Sequence, residues 1–543
     1  MHDLTLLGIR PYILLTALCL ALSLPGISTV PPTDRDEARF MQATKQMLET
    51  GDMVNIRFQD EPRTKKPVGI HWLQYASVKL LSEEQLNTAW MYRVPSVISY
   101  WLAVICVFLL GCKLFNGAHG RRAGLIAASL TACTLLTIVE AHLAKTDATL
   151  LLTVVLAHMG LAQFYLATPV CRPRISAFFL LWGGIGGGVL IKGPVIVAIV
   201  LATALALSAA DKNFRWLRIT RPLIGLLFAI AFILPWTIAA SMSGDGNVIL
   251  TSLAEDFFPK LISPSEGHGA FPGTHLLLSP ITLWPASLII LPGLVLAWQQ
   301  RHTPAIRFAL AWAGATWLMF ELVPTKLPHY ILPIVPALAL ATAGAISNST
   351  AKAARWGAVL WTIVTVLLVG GTLWASATYT GSITITVVFA ACLLSILYVL
   401  WSHKADKLLL VPVTAIVSSA MLLGGILPNL TDLALSPRLA TVIAQHRHSS
   451  QTPVVLTQFQ EPSAVFLLGT NTIITRVDSA ADQLTNMPDA LAVISNSQRD
   501  LMTEALFANQ RELVPLDSIA GYNYSKGRSE TLLIIRSTGL AVP

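Results

Sequence analysis

The sequence predicts a mainly α-helical, polytopic membrane protein with about thirteen transmembrane helices and a small C-terminal α/β domain outside the membrane. Of its 543 residues, 54% are hydrophobic and 12% are charged, about half the usual globular share of charge of roughly 25%. Apolar runs of about 20 residues, the length that crosses a bilayer, recur along the chain. After about residue 430 they give way to short strand-like and helix-like runs. The composition excludes a soluble single-domain enzyme, a disordered chain and a fibrous repeat.

Thirteen segments fit a membrane span. They run near 11–30, 94–115, 123–139, 148–167, 175–191, 194–209, 222–240, 275–298, 306–323, 329–347, 356–375, 382–401 and 408–427. The fifth and sixth form one apolar stretch that is interrupted by glycines and by Gly193-Pro194. The first follows Arg10, and because a dozen spans come after it we expect an uncleaved signal anchor.

The distribution of basic residues predicts the orientation. With the N-terminus in the cytoplasm, the cytoplasmic ends and loops hold sixteen Lys and Arg residues, whereas the short outer loops hold four: Lys145, Lys192, Lys260 and Lys326. Cytoplasmic loops of membrane proteins carry excess Lys and Arg. The net charge of +8 therefore indicates topology, and no nucleic-acid partner is expected.

Two domains follow from this topology. Residues 1–429 form the predicted transmembrane domain, whose first outer loop covers about 31–93. Residues 430–543 form the predicted outer α/β domain, with strand-like runs at 454–457, 472–477, 491–495 and 531–536 and a helix-like run at 499–510.

The six cysteines lie in or beside apolar runs without a Cys-x-x-Cys pair, so neither a zinc-cysteine site nor a disulfide framework is expected.

Charged residues on the outer face cluster at the span ends. The segments are Asp34–Arg39, Arg63–Pro67, Glu140–Asp147, Glu255–Lys260, Gly267–Gly269 and Lys326–Tyr330. Ionisable groups beside a membrane are costly and point to function. These loops converge in the predicted topology and could build one polar pocket at the outer membrane boundary.

Each cluster also has a purely structural interpretation. Thr33-x-x-Asp36 matches a capping box, so Asp36 could simply cap a helix. Asp36 and Arg39 could form a surface pair, since residues three apart share a helix face. Lys145 and Asp147 could be a local ion pair. A group of acids and histidines could hold a divalent metal, but no His-Glu-x-x-His spacing supports one. No cofactor is firmly indicated.

The sequence also lacks a nucleotide site. There is no Walker loop and no Gly-x-Gly-x-x-Gly between a strand and a helix. An outer-face enzyme would need an activated donor that arrives in the membrane, such as a polyprenyl-phosphate sugar. Such a donor requires acids near the sugar, cations at the phosphate and an apolar groove for the lipid.

At this point the motifs resemble a known group. Asp36-Glu37-Ala38-Arg39 follows the first span, and Lys66-Pro67 and Lys145-Thr146-Asp147 come later in the order expected. Further motifs are Gly267–Phe271, Lys326–Pro333 and Gly521-Tyr522-Asn523-Tyr524-Ser525. Together they look like the bacterial lipid A 4-amino-4-deoxy-L-arabinose transferases of the protein O-mannosyltransferase superfamily. The resemblance covers almost the whole chain and implies a GT-C fold.

The resemblance implies roles for individual residues. Asp36 matches the principal catalytic carboxylate and Asp147 the second acid. Arg39 and Lys66 match donor-phosphate contacts, while His268 and Tyr330 match site-lining positions. From the clusters themselves, Glu37, Lys145 and Lys326 join the residues expected to line the site. Lys65 and Val68 stand where aminoarabinose transferases often have Glu and Pro, so the donor sugar is left open.

The function expected is inverting glycosyl transfer at the periplasmic face of a bacterial inner membrane. The donor would be a sugar on undecaprenyl phosphate, and the acceptor an envelope lipid or glycan such as lipid A of the lipopolysaccharide. Two alternatives remain: a flippase for lipid-linked sugars or other secondary transporter, and a non-catalytic envelope-assembly scaffold. A transporter should show charges at the membrane midplane and paired broken helices, whereas here the charges lie at one face.

Overall fold

A computed structural model describes residues 8–32, 35–63, 65–82, 84–168, 172–243, 269–347, 355–402, 406–449 and 452–539. Within these ranges the regular secondary structure of the first 430 residues is helical, apart from a two-stranded hairpin. The helices of this part are α1 (Arg10–Ser23), α2 (Arg35–Thr50), α3 (Gly69–Leu81), α4 (Ala89–Phe115), α5 (Gly117–Ala132), α6 (Leu135–Ala141), α7 (Asp147–Tyr165), α8 (Ile175–Lys192), α9 (Val195–Ala210), α10 (Pro222–Met242), α11 (Thr274–Thr282), α12 (Ser287–Gln299), α13 (Pro304–Leu322), α14 (Val335–Ser347), α15 (Arg355–Thr378), α16 (Ile383–Trp401) and α17 (Lys407–Ser418). The hairpin strands are β1 (Arg57–Phe58) and β2 (Glu61–Pro62).

Every one of the thirteen predicted spans falls on helix, but some of them are broken. The third divides into α5 and α6 at Thr134, whose hydroxyl accepts a hydrogen bond from the Thr137 amide and starts a new helix. The eighth divides into α11 and α12 around Trp284-Pro285. Among the described residues, eight helices are long and apolar enough to cross a membrane, and three shorter apolar helices accompany them. The protein is thus a multi-span helical membrane protein, and the count of thirteen spans stays a prediction.

The outer faces of several long helices are apolar and exposed. Leu223 and Leu227 of α10 are 79% and 69% exposed, and Leu367 of α15 is 63% exposed. Contiguous apolar surface of this kind needs a lipid or protein partner, and a bilayer supplies it.

Inside the bundle, α4 and α5 approach closely because glycines face each other. A Cβ on Gly111 would lie 2.5 Å from the Gly124 Cα, the close packing that small residues permit.

The C-terminal region, residues 435–539, is built on a five-stranded sheet with the order β4-β3-β5-β7-β6. Its strands are β3 (Val454–Leu456), β4 (Ile473–Ile474), β5 (Leu491–Ser495), β6 (Arg511–Asn523) and β7 (Arg528–Gly539). Its helices are α18 (Leu435–His446), α19 (Pro462–Leu468), α20 (Val477–Asn486) and α21 (Arg499–Ala508). Strand β3 pairs in parallel with β4 and β5, and the β6–β7 hairpin extends the sheet antiparallel to β5.

Helices cover both faces of this sheet. Val454 and Leu456 pack with Leu439 of α18, whereas Val455 packs with Leu484 of α20 on the other face, as the alternation of side chains along a strand requires. Four of the five strands overlap the predicted runs, and β6 was not predicted. The domain boundary near 430 stays a prediction.

Candidate active site

Helix α2 carries the first group of site residues on its first turn. Asp36 is 57% exposed at the side chain, and its carboxylate lies 3.6 Å from the Arg39 guanidinium. Thr33, the partner of Asp36 in the predicted capping box, lies outside the described residues. The structure thus presents an exposed acid and a partly exposed cation together on one helix face, as the spacing of three predicts.

Glu37 faces the opposite way, into the protein. Both of its carboxylate oxygens accept hydrogen bonds from Arg93 of α4, at 2.8 and 3.1 Å, and one also accepts from the Ala144 amide. Arg93 also donates to three carbonyls of the segment between α1 and α2: Ile27, Val30 and Pro31. Both side chains of this pair are at most 1% exposed. Glu37 therefore fixes α2 against α4 and the 142–147 turn, and its predicted role in lining the site stays untested.

The second acid, Asp147, begins α7 and is buried. The Lys192 ammonium at the end of α8 donates to its carboxylate at 2.5 Å, and His329 Nε2 lies 4.0 Å from the same oxygen. Asp147 stands at a helix N-terminus and Lys192 at a helix C-terminus, where the helix dipoles favour their charges. Three elements far apart in the sequence thus converge on one buried ion pair.

Lys145 and Asp36 border this pair. The Lys145 ammonium lies 3.6 Å from Glu140 and interacts electrostatically with Asp147. The Ala144 amide, three residues before Asp147, donates to Glu37 in the first turn of α2 at 2.9 Å, so the α2 turn and the Asp147 cluster are neighbours. Tyr330 packs edge-on against His329 at 5.1 Å between ring centroids, and Lys192 lies 6.0 Å above the Tyr330 ring. The structure therefore brings together four of the predicted site residues: Asp36, Asp147, Lys145 and Tyr330.

Lys66 lies half-buried in the turn before α3. At the start of α3, a Cβ on Gly69 would lie 2.7 Å from the Leu190 carbonyl oxygen, so this turn packs close to the end of α8 that carries Lys192. Helix α3 is also tied to α2, because the Thr44 hydroxyl donates to Gln74 and its oxygen contacts His71 Nδ1, both at 2.8 Å. Burial, aided by Arg63, lowers the pKa of His71 to about 3, so this histidine is neutral at neutral pH.

Two further predicted residues have different surroundings. The Lys326 ammonium donates to the carbonyls of Glu321, in the last turn of α13, and of Val323, which follows that helix. Burial lowers the pKa of Lys326, and the nearby Glu321 partly offsets that effect. His268, with Lys260, lies outside the described residues. Among the residues that the structure describes, no three His, Cys, Asp or Glu side chains are grouped to hold a metal ion.

An apolar cavity adjoins the site. It has a volume of about 320 Å³ and lies where the ends of helices from the bundle meet the C-terminal region. Leu143, Leu427 and Tyr522 are among its walls, and Arg35 and Glu461 are among its polar residues. Arg35 directly precedes Asp36, so the cavity brings apolar space up to the first turn of α2.

Much of this geometry comes from Arg93, Lys192 and His329. Arg93 and Lys192 were not predicted as site residues, and His329 was predicted only as part of the Lys326–Tyr330 cluster. The sequence did indicate Lys192 as a possible site residue, because it is one of four lysines on a face poor in basic residues and directly precedes Gly193-Pro194. Arg93 directly precedes the predicted span at 94–115 and had no such indication. Its partner Glu37 is 56 residues away.

Comparison with known proteins leads to the same group as the motifs. The family model described as dolichyl-phosphate-mannose-protein mannosyltransferase matches residues 65–238. An undecaprenyl phosphate-α-4-amino-4-deoxy-L-arabinose arabinosyl transferase of Pseudomonas fluorescens is 28% identical over 56% of this chain and 54% of its own. The corresponding transferase of Pectobacterium carotovorum is 27% identical over 58% and 55%. The chain thus matches about half the length of these curated relatives.

The solved structures extend the likeness to the whole chain. The crystal structure of ArnT from Cupriavidus metallidurans bound to undecaprenyl phosphate superposes with a TM-score of 0.78, covering 99% of this chain and 100% of that one at 18% identity. The protein therefore has the GT-C fold of that structure. The resemblance to the aminoarabinose transferases that the motifs predict is confirmed.

Proposed function

We propose that this protein is an inverting glycosyltransferase that moves a sugar from undecaprenyl phosphate to lipid A or a related envelope acceptor. The observation that carries the proposal is the convergence of Asp36 and Arg39 with the Asp147–Lys192 pair at one end of the helical bundle. The names of the curated relatives and the lipid bound in the ArnT crystal structure support this donor, and the acceptor is the one that the resemblance of the motifs implies.

The cations suit a phosphate leaving group. As the bond between the sugar C1 and the phosphate oxygen breaks, negative charge grows on the phosphate. Arg39, Lys66 and Lys192 are candidates to stabilise that charge, because fixed positive groups in a desolvated site stabilise a transition state strongly. A phosphate is a weak base and departs without a strong general acid. The apolar cavity beside Arg35 suits the lipid part of a substrate.

The exposed carboxylate of Asp36 is suited to act on the acceptor. Asp36 is accessible, so it can orient an acceptor hydroxyl or remove its proton as the new bond to C1 forms. If the acceptor group is itself a phosphate, little base catalysis is required, and Asp36 would position the substrate or support positive charge on the sugar ring. Asp147, held by Lys192, is the second acid of the proposed site.

The proposed location is the bacterial inner membrane, with the N-terminus in the cytoplasm and the site facing the periplasm. Residues 1–429 would form the catalytic membrane domain and residues 430–543 a periplasmic domain. A membrane-borne donor explains why the charged clusters gather at one face, and the excess of basic residues on the opposite face sets the orientation.

The test is transfer by the purified protein in liposomes. The donor set would comprise undecaprenyl phosphate carrying aminoarabinose and undecaprenyl phosphate carrying neutral sugars, with lipid A as acceptor and mass spectrometry as the readout. We expect a product with one added sugar that the Asp36→Asn variant does not form. Flipping of the donor without any transfer would instead support a transporter.

A further inference from the structure

The C-terminal region contacts the first turn of the proposed catalytic helix. Arg35, the residue before Asp36, donates two hydrogen bonds to Glu461, from Nε to Oε2 at 2.9 Å and from Nη2 to Oε1 at 3.0 Å. Glu461 is 7% exposed at the side chain and directly precedes α19. Paired hydrogen bonds between a guanidinium and a carboxylate fix orientation as well as distance.

The Gly521–Ser525 motif supports this carboxylate from behind. Asn523 Nδ2 donates to Glu461 Oε1 at 3.2 Å and lies 3.4 Å from Glu530. Burial alone would raise the pKa of Glu461, but the hydrogen bonds from Arg35 and Asn523, together with the positive charges of Arg35 and Lys526, outweigh burial and lower it. The carboxylate is therefore charged at neutral pH and held on both sides, which gives the motif a structural purpose that the sequence alone did not.

Other contacts hold the rest of α2. Gln42 donates to the Thr470 hydroxyl at 2.8 Å, and that hydroxyl donates to Glu49 at 2.7 Å. These contacts involve the middle and end of the helix. Its first turn is held by the Arg35–Glu461 pair on the side of the C-terminal region and by the buried Glu37–Arg93 pair on the side of α4. The two sets of contacts can therefore be broken separately.

We propose that Glu461 is a positioning residue for glycosyl transfer: through Arg35, and together with the Glu37–Arg93 pair, it fixes the first turn of α2 and so aims Asp36 and Arg39 at the substrates. The proposal rests on the proposed function of this site. Asp36 is more than half exposed, so packing of its own side chain does little to orient it. Small misplacements of a reacting group can reduce the rate about 100-fold.

The substitution Glu461→Gln tests this with little change in shape. Its amide nitrogen would face a guanidinium N–H of Arg35, donor against donor, so the paired contact is lost. We expect kcat to fall about 10- to 100-fold, with the KM values for donor and acceptor nearly unchanged. Arg35→Gln should give a similar loss. The double variant should be no worse than either single one, because residues that act as one unit are not additive.

Two controls separate positioning from general docking. Thr470→Val breaks the contacts at the middle and end of α2, and Asp517→Asn alters a partly exposed acid near His446 elsewhere in the C-terminal region. Both should keep kcat within about two-fold of the parent protein, as expected of changes remote from the site. Equal losses in Glu461→Gln and Thr470→Val would overturn the proposal, as would losses that multiply in the double variant.

Hydrogen exchange gives a readout that needs no substrate. In Glu461→Gln the amides of residues 36–40 should exchange faster, whereas those of α21 should not change, since local opening follows local contacts. If the parent protein transfers no sugar, the proposed function fails, and exchange still decides whether Glu461 holds this turn. Unchanged exchange at residues 36–40 would refute the positioning role even in an active enzyme.

Discussion

Lys192 ends one helix where Asp147 begins another, and the two side chains form a buried ion pair at 2.5 Å. Helices α7 and α8 pack against each other and are antiparallel neighbours, so the start of the first meets the end of the second. Removing one partner of a buried pair leaves an uncompensated charge, which costs roughly 3–5 kcal/mol. The pair can thus serve stability, catalysis or both, and a double substitution distinguishes these.

The first prediction uses that double substitution. Lys192→Met alone should lower the thermal unfolding midpoint markedly, because Asp147 loses its main partner. Combining it with Asp147→Asn should restore the midpoint, since no buried charge is then unpaired. Transfer of the sugar should nevertheless be abolished in both the single and the double variant. Thermal unfolding in detergent and initial transfer rates give the two readouts. A stable and fully active double variant would show that the pair is structural only.

The second prediction concerns Asp36. Its exposed side chain makes Asp36→Asn nearly neutral for folding, within about 0.5 kcal/mol. Transfer should fall to background at unchanged membrane abundance. Asp60→Asn, in the exposed turn between β1 and β2, is the matched control and should be fully active. Substantial activity in Asp36→Asn would mean that this acid is not catalytic and serves only the first turn of its helix.

Local patterns in the sequence predicted much of the fold. The apolar runs lie on helix, and the strands at 454–456 and 491–495 were found because they are short, apolar and bounded by polar residues. Strand β6 was missed because it lies at the sheet edge, where its burial alternates weakly, and carries Pro515. The breaks at Thr134 and Pro285 were missed because hydropathy continues through them.

The sequence predicted the site only where its residues are close to one another along the chain. Asp36 and Arg39 are three residues apart, and Lys145 stands beside Asp147. The partners that give these residues their geometry come from far away: Lys192 is 45 residues from Asp147, and Arg93 is 56 from Glu37. Such pairings are set by helix packing, and no local pattern of residues contains them.

The third prediction is the topology. Reporters fused after residues 60 and 470 should both report the periplasm, and a reporter after residue 212 should report the cytoplasm, because the basic residues concentrate on that side. Alkaline phosphatase and green fluorescent protein fusions give opposite readouts in the two compartments. A cytoplasmic signal after residue 60 would invert the proposed orientation.

The fourth prediction is a pH dependence of stability at Glu461. Its pKa is lower in the folded protein than the usual value of about 4.3. The stabilisation is therefore fully present above the unfolded-state pKa and is lost as pH falls through the folded-state pKa. The parent protein should have a higher unfolding midpoint than Glu461→Gln at pH 7, and the difference should vanish in acid. A difference independent of pH would show that the charge of Glu461 does not stabilise the contact.

The last prediction concerns recognition of the donor phosphate by Arg39 and Lys66. Losing one hydrogen bond to a charged group costs roughly 1.5–3 kcal/mol, which is about 10- to 150-fold in affinity or rate. Lys66→Ala should weaken use of the lipid-linked donor by about that factor. Arg39→Lys should also impair it, because a lysine cannot reproduce the paired contact of a guanidinium with a phosphate.

Initial transfer rates against donor concentration in liposomes measure both effects. Lys113→Ala is the matched control, since Lys113 is an exposed lysine near the end of α4, about twenty residues along that helix from Arg93. It should transfer at the parental rate. If Lys66→Ala and Arg39→Lys both match this control, the donor phosphate binds elsewhere. Lys192 and Lys145 are then the next residues to substitute. Lys192 contacts the Asp147 carboxylate and Lys145 interacts with it electrostatically, so both would bring positive charge to the same end of the bundle.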